Sequence, residues 1–216
     1  MDQVERFGII GSGIIGAGWA GRALSVGMDV YAFDPEPGAE SRLKKKLDQI
    51  WPVLERTGVF PDASKDRLVF CESVEAVAAQ SDFIQESAPE RIDLKVELHA
   101  QIDAAASPDV VIASSTSGLL PTDFQAQCKH PERVIVGHPF NPVYLLPLVE
   151  VLGGKKTSLE NIDRAVMFYK SIGMYPLKVR SEVPGFLSDR LQEALWREIL
   201  HLVNDDVATP EELDDA

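Results

Sequence analysis

The chain has 216 residues, 45% hydrophobic and 25% charged, with a formal net charge of −13. That is the composition of a globular protein with one full domain and part of another. The acidic balance counts against nucleic acid and anionic membrane surfaces as partners.

In chain order, RFGII (6–10) reads as a strand, followed by a glycine turn and a helix over 14–25. DVYAF (29–33) is a second strand, and residues 38–58 form a helix pattern with a kink at Pro52. RLVFC (67–71) and DFIQES (82–87) read as strands around a short helix at 73–80, with a further helix over 91–106. DVVIASS (109–115) is continuously apolar, as expected of a strand buried on both faces. RVIVGH (133–138) and LLPLVEVL (145–152) follow as strands, then a helix over 159–173 and a strand over 175–179. Such alternation predicts an α/β fold with a doubly wound, mostly parallel sheet.

From Pro184 the pattern changes. Residues 185–206 read as one amphipathic helix, with Leu187, Leu191, Leu195, Ile199 and Leu202 along a stripe. Thr209, Pro210 and the acids Glu211 and Glu212 announce another helix at the end of the sequence. The expected organisation is a nucleotide-binding domain over 1–183, with 184–216 as the start of a truncated, all-helical C-terminal domain. Cys71 and Cys128 are too few for a disulfide framework and lack metal-ligand spacing, so no metal is expected. The N-terminal MDQVERFGII has no signal-peptide core, and no apolar run approaches membrane-spanning length, so the expected location is cytoplasmic, without a membrane partner.

The first strand runs into Gly11-Ser12-Gly13-Ile14-Ile15-Gly16, and Asp34 ends the second strand 18 residues after Gly16. A bare GxGxxG is weak evidence, but strand, helix and acid together make the dinucleotide-binding context of a Rossmann-type fold. Gly11 permits the tight turn, Gly13 the approach of backbone to pyrophosphate, and Gly16 close packing of the helix on the strand. The helix start at Ile14 and Ile15 would meet the phosphates. Asp34 would accept the adenosine ribose hydroxyls and repel a 2′-phosphate, which favours NAD over NADP.

In a doubly wound sheet, ligands bind outside the C-terminal ends of the strands. Ser117, His138 and Glu150 are read there, each at a strand's C-terminal end. A neutral imidazole at His138 can take a proton from an alcohol while hydride leaves the same carbon. Glu150 would fix its tautomer and Ser117 would donate to the developing carbonyl oxygen. Each has a plainer reading: a structural histidine, a paired strand acid, a serine capping a turn.

GSGIIGAGWA, ESAPERIDLKVEL, SSTSGL, GHPFNPVYLLPLVEV and PGFLSDR resemble the L-3-hydroxyacyl-CoA dehydrogenase superfamily, over essentially the whole chain. The resemblance implies NAD-dependent oxidation of a 3-hydroxyl, with His138 as base, Glu150 as its orienting acid and Ser117 as substrate-binding serine. It places Glu90 and Lys95 on the nicotinamide-ribose side and Asn141 in the histidine block. It also implies a homodimer for the full-length protein. Two positions depart from the acyl-CoA pattern: Pro139 replaces a usual Phe, and Asp189 a usual Asn. HPFNP and the 189–209 segment are more similar to branches acting on small 3-hydroxy acids. L-carnitine is the favoured substrate, with gulonate-type acids and 3-hydroxyacyl-CoA esters as alternatives. An NAD-binding protein or fragment without catalysis is the alternative of a different class. Asp189, Glu193 and Trp196 lie at i, i+4 and i+7, so they share a helix face that suits a trimethylammonium group. The plainer reading makes Trp196 core and Glu193 a partner of Arg190 or Arg197.

Overall fold

A computed structural model describes residues 4–216. The chain runs β1 (Arg6–Ile10), α1 (Ile14–Ser25), β2 (Asp29–Phe33), α2 (Ala39–Thr57), β3 (Leu68–Phe70), α3 (Val74–Gln80) and β4 (Phe83–Glu86). It continues through α4 (Ile92–Ala105), β5 (Val111–Ser114), a single turn α5 (Pro121–Phe124), β6 (Val134–Pro139) and β7 (Leu148–Gly153). The remaining elements are α6 (Leu159–Ser171), β8 (Tyr175–Lys178), α7 (Ser188–Asn204) and α8 (Pro210–Asp215).

All strands join one eight-stranded sheet in the order β3-β2-β1-β4-β5-β6-β7-β8. Every pairing is parallel except β6 with β7. The order reverses between β1 and β4, the switch point at which such sheets bind dinucleotides. This is the doubly wound architecture expected from the strand–helix alternation.

Period-2 alternation divides the core between the two faces of the sheet. Phe7, Ile9, Val30, Ala32, Phe83 and Ile135 face α1, α2 and α6. Ile84, Ile112, Val134, Val136 and Leu152 face α3, α4 and Phe124 of α5. The strand–helix map follows the sequence pattern to within a few residues at the ends. Pro52 lies inside α2, which continues through it to Thr57.

Three local readings change. The strand expected at 145–152 starts at Leu148, because the amides of Leu145 and Leu146 turn back to the Pro142 carbonyl. That strand runs antiparallel to β6, so Glu150 sits near its beginning rather than its C-terminal end. It still reaches the same edge of the sheet, arriving from the opposite direction. The helix expected over 185–206 is shorter, Ser188–Asn204. Gly185 and Phe186 take φ values of 74° and 47°, which no helix accommodates. The α5 turn has no strong pattern in the sequence beyond Pro121 at its first position.

No residue of α7 is buried, and Leu191 and Leu195 are 71% and 63% exposed. Its apolar stripe is present, but only Ile199 and Leu202 of it are as much as half-buried. The α8 start matches expectation, with Thr209 and Glu212 closing a capping box. No helix among the described residues is long and apolar enough to cross a membrane.

Candidate active site

The β1–α1 turn is shaped by its glycines. Gly11 has φ 91°, and a Cβ there would meet the Ser87 carbonyl oxygen at 2.6 Å. A Cβ on Gly16 would meet the Gly11 carbonyl oxygen at 1.9 Å, so neither position tolerates a side chain. Gly13 is the opposite case: a Cβ there would meet nothing within 4 Å. Open space therefore lies over the backbone that is meant to approach a pyrophosphate. No side chain caps the start of α1 and no acid occupies its first turn. The helix N-terminus, with Ile14 exposed beside it, thus keeps its amides and its positive dipole end for an anion.

Asp34, just past β2, accepts from the Ser12 amide at 2.7 Å and the Ser12 hydroxyl at 3.1 Å through one oxygen. Its other oxygen accepts the Glu36 amide at 3.0 Å. The acid is thereby fixed beside the glycine turn, and Ser12, which sequence reasoning left as a spacer, is what fixes it. The residues present fit a dinucleotide with an unphosphorylated ribose.

At the far side of the switch point, His138 and Glu150 are paired directly across β6 and β7. Residues opposite each other in an antiparallel ladder share a face, so the spacing of twelve follows from one tight connection. His138 Nδ1 and Glu150 Oε2 lie 2.9 Å apart, with Glu150 fully buried and the His138 side chain 8% exposed. Three more donors reach the same carboxylate. The Leu187 and Ser188 amides donate to Oε1 at 3.0 Å each, and the Ser188 hydroxyl to Oε2 at 2.7 Å. Burial pushes the Glu150 carboxyl upward, but the bonds from His138 and Ser188 and the two amides outweigh it. The net direction is downward, so Glu150 stays a carboxylate near neutrality. A carboxylate on Nδ1 makes that nitrogen the N–H, and leaves Nε2 as the free base. The rings of Phe140 and Phe186 flank the imidazole at 5.3 and 5.6 Å.

Ser117 is exposed just past β5, and its amide donates to Glu90 Oε1 at 3.2 Å. Glu90 also accepts the Thr116 hydroxyl and the Gly118 amide, so it organises the whole β5 turn. Asn141 is exposed in the β6–β7 connection, which folds back so that Val143 packs against Gly18 of α1.

The ammonium of Lys95 is buried, only 1% exposed. It donates to both oxygens of Glu86, at 2.7 and 2.9 Å, and lies 3.7 Å from Glu90. The Ser114 hydroxyl and Ala88 amide complete the shell of Glu86 at 2.6 Å each. Lys95 thereby joins Glu86 to the neighbourhood of Glu90. An ammonium on a long stem is drawn inward by a buried carboxylate that nothing else would neutralise. His99, also on α4, sits 3.8 Å from Glu86, and burial lowers its affinity for a proton.

Two further groups escaped sequence reading. Gln85, on the central β4, accepts the Tyr169 hydroxyl at 2.6 Å and donates to the Gly137 carbonyl at 3.1 Å and to Ser115 at 2.8 Å. Ser115 in turn receives the Trp19 indole N–H at 3.2 Å. This chain of bonds ties α1, behind the glycine turn, to the strand that carries His138. A polar residue inside an apolar strand was the only signal, and it does not reveal its partners. Ser188, which supplies two of the four bonds to Glu150, lay unremarked inside a helix pattern.

Asp189, Glu193 and Trp196 do share one face of α7. With Gln192, Leu195 and Ile199 they line a depression of about 510 Å³. Trp196 is 54% exposed, so it is not core among the described residues.

The family described as 3-hydroxyacyl-CoA dehydrogenase, NAD binding domain, matches residues 6–183. A protein of Pseudomonas putida named L-carnitine dehydrogenase is 60% identical over all 216 residues, which span 67% of its length. Among solved structures, an NAD-dependent 5-formyl-3-hydroxy-2-methylpyridine 4-carboxylic acid 5-dehydrogenase superposes with a TM-score of 0.92 at 34% identity, over 99% of this chain and 69% of that one. The 3-hydroxybutyryl-CoA dehydrogenase of Escherichia coli gives 0.89 at 30% identity, over 97% of this chain and 45% of that one. Matching fold, glycine turn and sequence lead to one conclusion: the chain belongs to the 3-hydroxyacyl-CoA dehydrogenase family of NAD-dependent oxidoreductases.

Proposed function

We propose that this chain carries the nucleotide site and proton-transfer site of an enzyme that oxidises the 3-hydroxyl of L-carnitine to 3-dehydrocarnitine. The observation that carries the proton-transfer reading is the buried His138–Glu150 pair, whose imidazole has one nitrogen left over at the ligand-binding edge of the sheet. The 60% identity to a relative named for L-carnitine supports the choice of substrate.

Gly11, Gly13, Gly16, the start of α1 at Ile14 and Ile15, and Asp34 would hold NAD, with Glu90 and the Lys95–Glu86 pair shaping the nicotinamide side. When bound, NAD supplies the acceptor for the hydride released from the hydroxyl-bearing carbon. His138 Nε2 takes the hydroxyl proton. Glu150 stabilises the imidazolium that results, as a fixed anion on Nδ1. Ser117 and Asn141 orient the oxygen and the carboxylate end of the substrate. Asp189 attracts the trimethylammonium and Trp196 offers it a ring face. On this reading, residues 1–183 form the nucleotide-binding unit. Residues 184–216 begin a helical substrate unit that also serves a homodimer.

The test is NADH formation, followed by absorbance, with L-carnitine, L-3-hydroxybutyryl-CoA and L-gulonate in parallel. The chain and a version extended to the length of its relatives are both assayed. Turnover of L-carnitine alone supports the reading; turnover of the CoA ester instead overturns the substrate and leaves the reaction class.

A further inference from the structure

The acid–base pair does not stand alone. Of the four hydrogen bonds that hold Glu150, three come from the residues that open α7. Two of those are backbone amides, which any sequence supplies. The third is the Ser188 hydroxyl, and it lands on Oε2, the same oxygen that meets His138 Nδ1. The turn before it is held in an uncommon form: Phe186, fully buried, adopts φ 47°, a left-handed conformation that side chains other than glycine rarely take. That turn aims the Leu187 and Ser188 amides and the Ser188 hydroxyl at one carboxylate, while placing the Phe186 ring against the imidazole.

We infer that Ser188 is a positioning residue of the proton-transfer pair, its hydroxyl sharing Glu150 Oε2 with His138 and so setting how much of the carboxylate's charge the imidazole receives. Two donors on one oxygen compete for its electron density. A strong O–H donor at 2.7 Å draws charge that would otherwise go to Nδ1–H. Ser188 also fixes the rotation of the carboxylate, since both oxygens are then engaged from one side by Leu187 and Ser188 at the start of α7. The base is thereby coupled to the placement of that helix. Of the other ionisable groups in this corner, Asp189 and Arg190 follow on α7, Lys178 of β8 pairs with Asp163, and Glu182 accepts from Thr122. Among the described residues, none of these bonds to His138 or Glu150.

The inference rests on His138 as the proton acceptor, and its test reads the imidazole directly as well as through turnover. The chain has four histidines, so ring-nitrogen resonances can be assigned by the loss of one set in His138→Ala. In Ser188→Ala the two amides stay, so the fold is kept, but Glu150 becomes a stronger acceptor for His138. The His138 titration midpoint should rise by roughly half a pH unit. The acid limb of kcat/KM for NAD-dependent L-carnitine oxidation should move with it, while KM for NAD stays constant. Ser188→Thr, which keeps the hydroxyl, should restore both. Should Ser188→Ala fail to fold, Ser188→Cys, with a weaker donor of similar size, carries the same comparison. A His138 midpoint unchanged in the folded variant overturns the inference, because a helix-capping role alone would leave the imidazole untouched. A shifted midpoint without L-carnitine turnover keeps it and removes the substrate instead.

Discussion

Strand β6 has a buried acid–base contact at each end, and the two differ in a way that separates structure from chemistry. Arg133, just before the strand, is 1% exposed and grips Asp103 of α4 through Nε at 2.9 Å and Nη2 at 2.8 Å. Its remaining donors reach the carbonyls of Asp103, Ala106 and Ser107, and the Lys129 and His130 amides fill the other oxygen of Asp103. Each guanidinium nitrogen and each carboxylate oxygen is engaged. His138, at the other end, is bonded at Nδ1 only, and no described residue takes Nε2. A saturated pair can only hold elements together. A pair with one nitrogen to spare, at the edge where ligands bind, can move a proton.

The sharpest way to break this comparison is to delete one member of each pair. His138→Ala should lower kcat/KM for the oxidation by roughly 10²–10⁴-fold, the range of general-base contributions, equal to about 3–5 kcal/mol of barrier. NAD affinity, measured by calorimetry, should hardly change, since the glycine turn and Asp34 lie on other strands. Arg133→Met should do the reverse. It leaves Asp103 buried with only part of its shell, a loss of about 3–5 kcal/mol read by urea unfolding. The protein that remains folded should turn over normally. Full activity in His138→Ala would remove the imidazole from the mechanism.

A smaller effect distinguishes the pairs by pH. Glu150 is held below the ordinary glutamate range, so its folded form binds a proton less readily than the unfolded chain. For a depressed carboxyl the stabilisation is complete above the unfolded value of about 4.3 and is lost as pH falls through the lower native value. Urea midpoints measured from neutrality down to about pH 3 should therefore fall less steeply in Glu150→Gln than in the parent. Equal slopes would mean that Glu150 contributes nothing to acid unfolding.

The frame of the molecule was legible because strands and helices announce themselves by period. Gly11, Gly13, Gly16 and Asp34 are a local motif, and His138 with Glu150 a short-range one, joined by a single connection between adjacent strands. The groups that escaped are those whose partners lie far along the chain. Gln85 reaches Tyr169 across 84 positions, and Ser188 reaches Glu150 across 38. No periodicity encodes such meetings. The direction of β7 was hidden for a related reason: parallel and antiparallel strands bury the same side chains, and only the tight turn-back after Pro142 favours one.

The least effect, and the most specific, concerns the exposed face of α7. Asp189 opens on the side of the depression that Glu193 and Trp196 also line, one residue from Ser188 and hence close in sequence to the proton-transfer pair. A carboxylate about 4 Å from a cation in water-like surroundings is worth about 1 kcal/mol, or a factor of about five in affinity. Asp189→Asn should therefore raise KM for L-carnitine about fivefold and leave kcat and NAD binding near the parent values. An uncharged 3-hydroxy substrate supplies the control, because it has no cation to lose. If its KM rises as much as that of L-carnitine, Asp189 shapes the cleft rather than its charge. If neither moves, the trimethylammonium group lies elsewhere, and the acid at this position has another reason to differ from the asparagine of the acyl-CoA pattern.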